Sequence, residues 1–144
     1  MTEDGKVAMF RTGGNPHCHV ILRGGKSPNY NAANVAACEE ELKKAGLIEN
    51  IMIDCSHGNS NKDHRNQKLV LDEVAQQINN GNKSIVGVMV ESNLEEGNQP
   101  IPDDLDDLKY GVSITDACID WSTTETLLRE FAGSLSESLK SRIG

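Results

Sequence analysis

Three short apolar runs constrain this chain more than any other feature: Cys18-His19-Val20-Ile21-Leu22, Ile51-Met52-Ile53 and Ile85-Val86-Gly87-Val88-Met89-Val90. Each is strand-length, rich in β-branched residues and nearly continuous, the texture of parallel strands covered on both faces. The stretches between them carry a helical period. From Asn31, the residues Val35, Cys38, Leu42 and Ala45 recur at three- and four-residue spacing. Glu39/Lys43 and Glu40/Lys44 make i,i+4 pairs, and Gly46 marks the stop. Val70, Val74, Gln77 and Ile78 predict a second helix before Gly81, with Asp72 and Glu73 near its start, where the helix dipole favours negative charge. A third is expected from the capping box Ser122-Thr123-Thr124-Glu125 through Leu128, Phe131, Ala132, Leu135 and Leu139. Strand and helix alternate three times, which predicts an α/β fold with a parallel sheet.

The polar residues that follow the three runs add a register. Arg23, His57 and Glu91 are spaced 34 and 34 residues apart, which places an arginine, a histidine and a glutamate at the C-terminal tips of successive strands. In a (β/α)₈ barrel that is the catalytic face. Eight units of this length would total about 272 residues, close to the ~250 typical of that fold. An open doubly wound sheet is the alternative, but its Gly-x-Gly-x-x-Gly fingerprint does not follow the first strand. The expectation is therefore a portion of a barrel, about three βα units.

Composition removes several function classes. Fourteen Lys and Arg against 22 Asp and Glu leave the 144-residue chain at a net charge of −8, the wrong sign for tracking phosphate backbones. Its five aromatics, Phe10, Tyr30, Tyr110, Trp121 and Phe131, are too scattered for base stacking. No run approaches the ~20 apolar residues of a membrane span, and the opening Met1-Thr2-Glu3-Asp4-Gly5-Lys6 lacks a signal-peptide core. Cys18, Cys38, Cys55 and Cys118 form no Cys-x-x-Cys pair, as suits a reducing compartment. The expectation is a soluble cytoplasmic protein that binds neither nucleic acid nor membrane.

The strand tips carry the chemistry. Arg23-Gly24-Gly25-Lys26 joins a planar cation to two flexible residues, which suits an anionic group bound bidentately; a tight turn with a surface arginine is the plainer reading. In Asp54-Cys55-Ser56-His57-Gly58-Asn59-Ser60, a Ser56 nucleophile is disfavoured because adjacent Ser and His do not readily face one another and no Gly-x-Ser-x-Gly elbow is present. A Cys55/His57 pair lacks any sign of a depressed thiol pKa. Glu91 ends an apolar strand, where a carboxylate is costly unless paired or metal-bound. Between Glu91 and Asp107 there are seven acidic residues and no Lys or Arg, a solvated loop without EF-hand spacing. With Asp116 before the last helix, His57, Glu91 and Asp116 make a candidate nitrogen-plus-two-oxygen site for a divalent cation, although scattered His, Glu and Asp are common.

Six blocks of the chain, in order, carry a resemblance: Val20–Gly25, Pro28-Asn29-Tyr30, Met52–Ser60, Gly87–Ser92, Glu96-Gly97-Asn98-Gln99 and Tyr110–Ile119. Together they closely resemble the C-terminal part of type I 3-deoxy-D-arabino-heptulosonate 7-phosphate (DAHP) synthase. The resemblance implies the last three βα units of a TIM (β/α)₈ barrel, residues 1–144, with residues 1–14 as the end of an inserted β-hairpin. It implies a transferase that condenses phosphoenolpyruvate with erythrose 4-phosphate and releases phosphate, the first step of the shikimate pathway to aromatic amino acids. By the same resemblance Arg23 binds the phosphoenolpyruvate phosphate, and His57 is both a catalytic metal ligand and a neighbour of that substrate. Glu91 and Asp116 are the carboxylate ligands of one divalent ion, Mn²⁺, Fe²⁺, Co²⁺ or Zn²⁺. The family's first-strand cysteine ligand, its Lys-Pro-Arg segment and the phosphoenolpyruvate-binding Arg and Lys of strands four and five have no counterpart here. The 144 residues alone are accordingly expected to be inactive. The full-length protein is expected to be a homo-oligomer open to feedback by an aromatic amino acid. A non-catalytic barrel fragment or partner subunit that binds a metal or phosphorylated ligand is the competing expectation.

Overall fold

In the computed structural model, which describes residues 3–143, the chain alternates strand and helix three times. The order is β1 (Val20–Leu22), α1 (Ala32–Lys44), β2 (Ile51–Asp54), α2 (Gln67–Asn79), β3 (Ile85–Met89) and α3 (Trp121–Ile143), with 3₁₀ turns at His64–Asn66 and Leu105–Asp107. The strands pair in parallel in the order β1-β2-β3. The first strand is shorter than its apolar run because Cys18 and His19 stay outside the ladder, exposed to solvent. Residues 3–14 carry no strand or helix, and Met1 and Thr2 of the expected hairpin segment lie outside the described residues.

Local signals explain the helix ends. Asn31 accepts a hydrogen bond from the Asn34 amide (3.0 Å) and caps α1, satisfying one of the free N–H groups of its first turn. The helix closes in a Schellman turn: the Gly46 amide donates to Lys43 O and the Leu47 amide to Leu42 O, with Gly46 at φ 68, a conformation glycine adopts without a Cβ penalty. Gly81, at φ 100, ends α2 the same way, its amide on Ile78 O and the Asn82 amide on Gln77 O.

Three expected local details are corrected. The third helix starts before its capping box, because Asp120 accepts from the Thr123 amide at 2.6 Å and serves as the cap; Ser122 lies inside the helix. Asp72 and Glu73 fall in the second turn of α2, which begins at Gln67 with no acidic residue in its first turn, so the dipole argument does not apply to them. Lys44 pairs with Glu40 (3.3 Å) and Glu41 (3.0 Å), but Glu39 turns away from Lys43 to accept hydrogen bonds from Asn82 (2.7 Å) and Ser84.

One face of the sheet meets all three helices. Ile51 and Ile53 of β2 are fully buried against Val35, Val70, Leu71, Val74, Ile85, Leu127 and Leu135, with Val20, Leu22 and Val88 packed around them. Burying each such isoleucine is worth about 1.5–3 kcal/mol. The opposite face has no helix on it among the described residues: Ile21, between inward-packed Val20 and Leu22, is 51% exposed. A Cβ on Gly87 would stand 3.2 Å from Met52 Cε, so the absent side chain is what lets Met52 lie across β3. No helix of the described residues is long and apolar enough to cross a membrane.

Candidate functional site

The site forms where the three strands end. Paired residues are 31 apart between β1 and β2, then 34 to 35 apart between β2 and β3, where the register shifts after Ile51. Arg23 therefore follows its strand at the level of Asp54, not of His57. His57 reaches the same depth through a turn in which it, Asn61 and Lys62 take positive φ of 46, 54 and 62. The equal 34-residue spacing thus marks the strand tips without being a structural repeat. Such left-handed residues are uncommon outside glycine, and they persist only where surrounding contacts over-determine them.

Asn59 supplies those contacts. Its buried side-chain amide donates to Leu22 O (3.0 Å) and Asp54 O (2.8 Å), while its oxygen accepts from the Asn29 amide (2.8 Å). Asn29 in turn accepts from the Gly24 amide (2.7 Å), and the Asn59 amide donates to Arg23 O (3.2 Å). One asparagine thereby ties the tip of β1 to the turn after β2. The two backbones touch: a Cβ on Gly24, at φ 77, would lie 2.5 Å from Gly58 C.

On this base, Arg23, His57, Glu91 and Asp116 line one cleft of about 440 Å³, together with Gly24, Ser56 and Lys62. His57 Nε2 stands 3.6 Å from Glu91 Oε1 and 3.6 Å from Asp116 Oδ2. Its Nδ1 lies 2.8 Å from Asp54 Oδ2. That approach is a close contact and not a formed hydrogen bond: the buried Nδ1 has no hydrogen-bond partner among the described residues. The backbone of Glu91 is clamped by fully buried Gln67, whose amide donates to Glu91 O (3.0 Å) and whose oxygen accepts from the Glu91 N–H (2.7 Å). Ser56 Oγ donates to Glu91 Oε2 at 2.6 Å. Asp116 comes from the loop between β3 and α3, which zips back on itself through paired backbone bonds between Gly97 and Cys118 and through the Ile119 amide on Glu91 O.

The donor set suits a divalent cation. Ligand atoms of His57, Glu91 and Asp116 all lie within 4.8 Å of one another, and the 3.6 Å from His57 Nε2 to each carboxylate oxygen is within the span of two metal–ligand bonds of ~2.1 Å. With Asp54 lying against Nδ1, Nε2 is the ring nitrogen that faces the two carboxylates. The cleft also holds two cations, Arg23 and Lys62, neither in an ion pair among the described residues. Both are available to an anionic group. The nucleophile alternatives fall away: Cys55 is buried and its thiol is pushed up to about 12, chiefly by burial and secondarily by Asp54, while the Ser56 hydroxyl is committed to Glu91. A larger, shallower hollow of about 780 Å³ lies at the other end of the strands, but its Glu39 is already engaged by Asn82 and Ser84.

All four residues singled out in the sequence meet in the cleft. Sequence reasoning missed Lys62, His64, Gln67 and the contact of Asp54 with His57. Lys62 carried a signal, a cation just beyond the histidine block. Gln67 carried none, since a glutamine at a helix start is ordinarily solvated. His64, on the cleft wall, binds Glu96 at 2.8 Å and pins the long acidic loop beside the site, while Asp103–Asp107 remain exposed as expected.

The sequence profile described as "DAHP synthetase I family" matches residues 2–129. The Tyr-sensitive phospho-2-dehydro-3-deoxyheptonate aldolase of Salmonella typhimurium is 54% identical over 143 residues, which are 99% of this chain and 40% of that protein. The Phe-sensitive enzyme of Escherichia coli K12 is 52% identical over 135 residues, covering 94% and 38%. Among solved structures, phospho-2-dehydro-3-deoxyheptonate aldolase from Francisella tularensis SCHU S4 superposes with a TM-score of 0.83 at 46% identity, over 90% of this chain and 37% of that one. The chain thus spans about two-fifths of the length of these relatives.

Proposed function

This chain belongs to the DAHP synthetase I family, and from that premise we propose that it forms the last three βα units of a (β/α)₈ barrel acting as DAHP synthase. The reaction joins C3 of phosphoenolpyruvate to the aldehyde carbon of erythrose 4-phosphate; water adds at C2 and carbon–oxygen cleavage releases phosphate. The observation that carries the reading is the meeting of Arg23 with His57, Glu91 and Asp116 in one cleft at the C-terminal ends of parallel strands. The barrel reading has its own support: the helices share one face of the sheet and the other face stays uncovered, whereas an open doubly wound sheet is covered on both. Residues 1–14 are read as the end of an inserted hairpin.

In this reading Arg23 grips the phosphoenolpyruvate phosphate, presented by Gly24 and Gly25, which keep side chains away from it. His57 Nε2, Glu91 and Asp116 hold the divalent ion, Mn²⁺, Fe²⁺, Co²⁺ or Zn²⁺. When bound, that ion supplies Lewis-acid polarisation of the aldehyde and a template for both substrates. Asp54 keeps the imidazole aimed inward, and Gln67 fixes the backbone from which Glu91 projects. The whole enzyme is read as a cytoplasmic homo-oligomer, with an aromatic amino acid as its feedback effector.

Phosphate release that depends on both substrates tests the proposal, measured for the chain alone and for the chain mixed with a polypeptide supplying the first five barrel units. The expected result is turnover only in the mixture. Open strand edges and the bare face carrying Ile21 favour inactivity of the 144 residues by themselves. Turnover by the chain alone contradicts the partial-barrel reading, and a mixture that binds phosphoenolpyruvate without turnover favours a non-catalytic role.

A further inference from the structure

Glu91 is held more tightly than its neighbours in the cleft. Gln67 clamps its backbone on both the N–H and the carbonyl, so the carboxylate can adjust only about its own side-chain torsions. Ser56, a residue only 4% exposed, then removes much of that freedom: its hydroxyl donates to Oε2 at 2.6 Å. Ser56 is itself fixed, because its amide donates to Asp54 Oδ1 (2.8 Å) and Asp54 Oδ2 touches His57. The chain Asp54–Ser56–Glu91 closes around the histidine. It leaves Oε1 alone facing Nε2 and Asp116, while Oε2 is occupied.

We propose that Ser56 is a positioning residue that makes Glu91 a one-oxygen ligand and thereby sets the cation size this cleft accepts. The inference rests on the metal reading of the site given above. Small divalent ions bind carboxylates through one oxygen at short distance, whereas Ca²⁺, at 2.3–2.6 Å, gains coordination by taking both oxygens of a carboxylate. With Oε2 engaged by Ser56, the second oxygen is withheld from a large ion. A hydroxyl that served the fold alone would affect all cations equally.

The test is direct binding of Mn²⁺ and of Ca²⁺ to the intact protein, the metals alone, for the wild type, Ser56→Ala and Ser56→Thr. Ser56→Ala is expected to weaken Mn²⁺ binding about tenfold or more, the usual cost of losing an outer partner of a ligand. Ca²⁺ binding should hold or tighten, so the Mn²⁺-over-Ca²⁺ preference falls about tenfold or more. Ser56→Thr keeps the hydroxyl and should keep the preference. Should Ser56→Ala fail to fold, Ser56→Gly gives the same deletion beside an already tight turn and is read the same way. Equal losses for both ions, or an unchanged preference, overturn the proposal while leaving the metal site standing. A wild type that binds neither ion overturns the metal reading and the proposal with it.

Discussion

Alanine at Gly24 should break the junction that sets Arg23 beside His57, and three other glycines divide the cost into its parts. At Gly24 two penalties coincide: the backbone sits at φ 77, and an added Cβ would lie 2.5 Å from Gly58 C and 2.6 Å from Asn59 N. A left-handed alanine costs about 1–2 kcal/mol, and overfilling a packed backbone contact costs about 1–3 kcal/mol. Alanine also restrains the unfolded chain, which returns about 0.4–1 kcal/mol. The net expectation is a loss of about 1–4.6 kcal/mol. Gly46, at φ 68 with nothing within 4 Å, isolates the conformational part, and its alanine variant should lose up to about 1.6 kcal/mol. Gly58, whose Cβ would meet Gly24 C at 2.8 Å without a left-handed backbone, isolates the contact and should lose up to about 2.6 kcal/mol. Gly25 meets nothing within 4 Å and is not left-handed, so Gly25→Ala should be neutral to slightly stabilising. Urea unfolding of the four variants of the intact protein, followed by far-ultraviolet circular dichroism, gives the values. A Gly24→Ala protein within about 0.5 kcal/mol of Gly25→Ala would refute the claim that backbone contact at these tips builds the site.

Arg23→Ala should weaken phosphoenolpyruvate binding more than erythrose 4-phosphate binding in the complete enzyme, by the loss of a charge-assisted phosphate contact; a defect confined to the aldehyde substrate contradicts the assignment. His57→Ala should lower the stoichiometry or affinity of bound divalent metal, and unchanged metal analysis would remove His57 from the site. A thiol reagent applied to the folded protein at mildly alkaline pH should label exposed Cys18 and spare Cys55, which is fully buried with its thiol raised to about 12; equal labelling of the two would count against this packing. Asp120 is held below the ordinary carboxylate range, first by the Thr123 amide and then by the Thr123 side chain. Its share of stability is present above the ordinary value and lost as pH falls through the lowered one. Asp120→Asn should remove that share of the acid sensitivity, and identical stability-against-pH curves for the two proteins would show that the cap charge contributes nothing.

The elements were legible because their signals are local. A strand shows itself by three to six apolar residues, a helix by its period, and a helix end by Asn31 or Gly46 within a few positions of the turn they close. The candidate residues were legible for a related reason. A polar residue that ends an apolar strand of a parallel sheet lies at its tip wherever the strand goes, so Arg23 and Glu91 could be placed together before any contact was known. The errors are also local: two good caps compete within Asp120–Glu125, and only the incoming loop decides that Asp120 takes the amide.

What the tertiary structure decided is how those tips meet. Ser56 and Glu91 are 35 residues apart and Gln67 and Glu91 are 24 apart; neither pairing has a periodic or compositional trace. The 34-residue spacing suggested that His57 occupies the same point as Arg23, yet the ladder pairs β1 with β2 at an interval of 31. The difference is taken up by a left-handed turn that Asn59 holds from across the sheet. Alternation, caps and strand ends follow from the preferences of a few adjacent residues. The aim of His57 and the single free oxygen of Glu91 follow from hydrogen bonds between groups that only a shared core brings within reach.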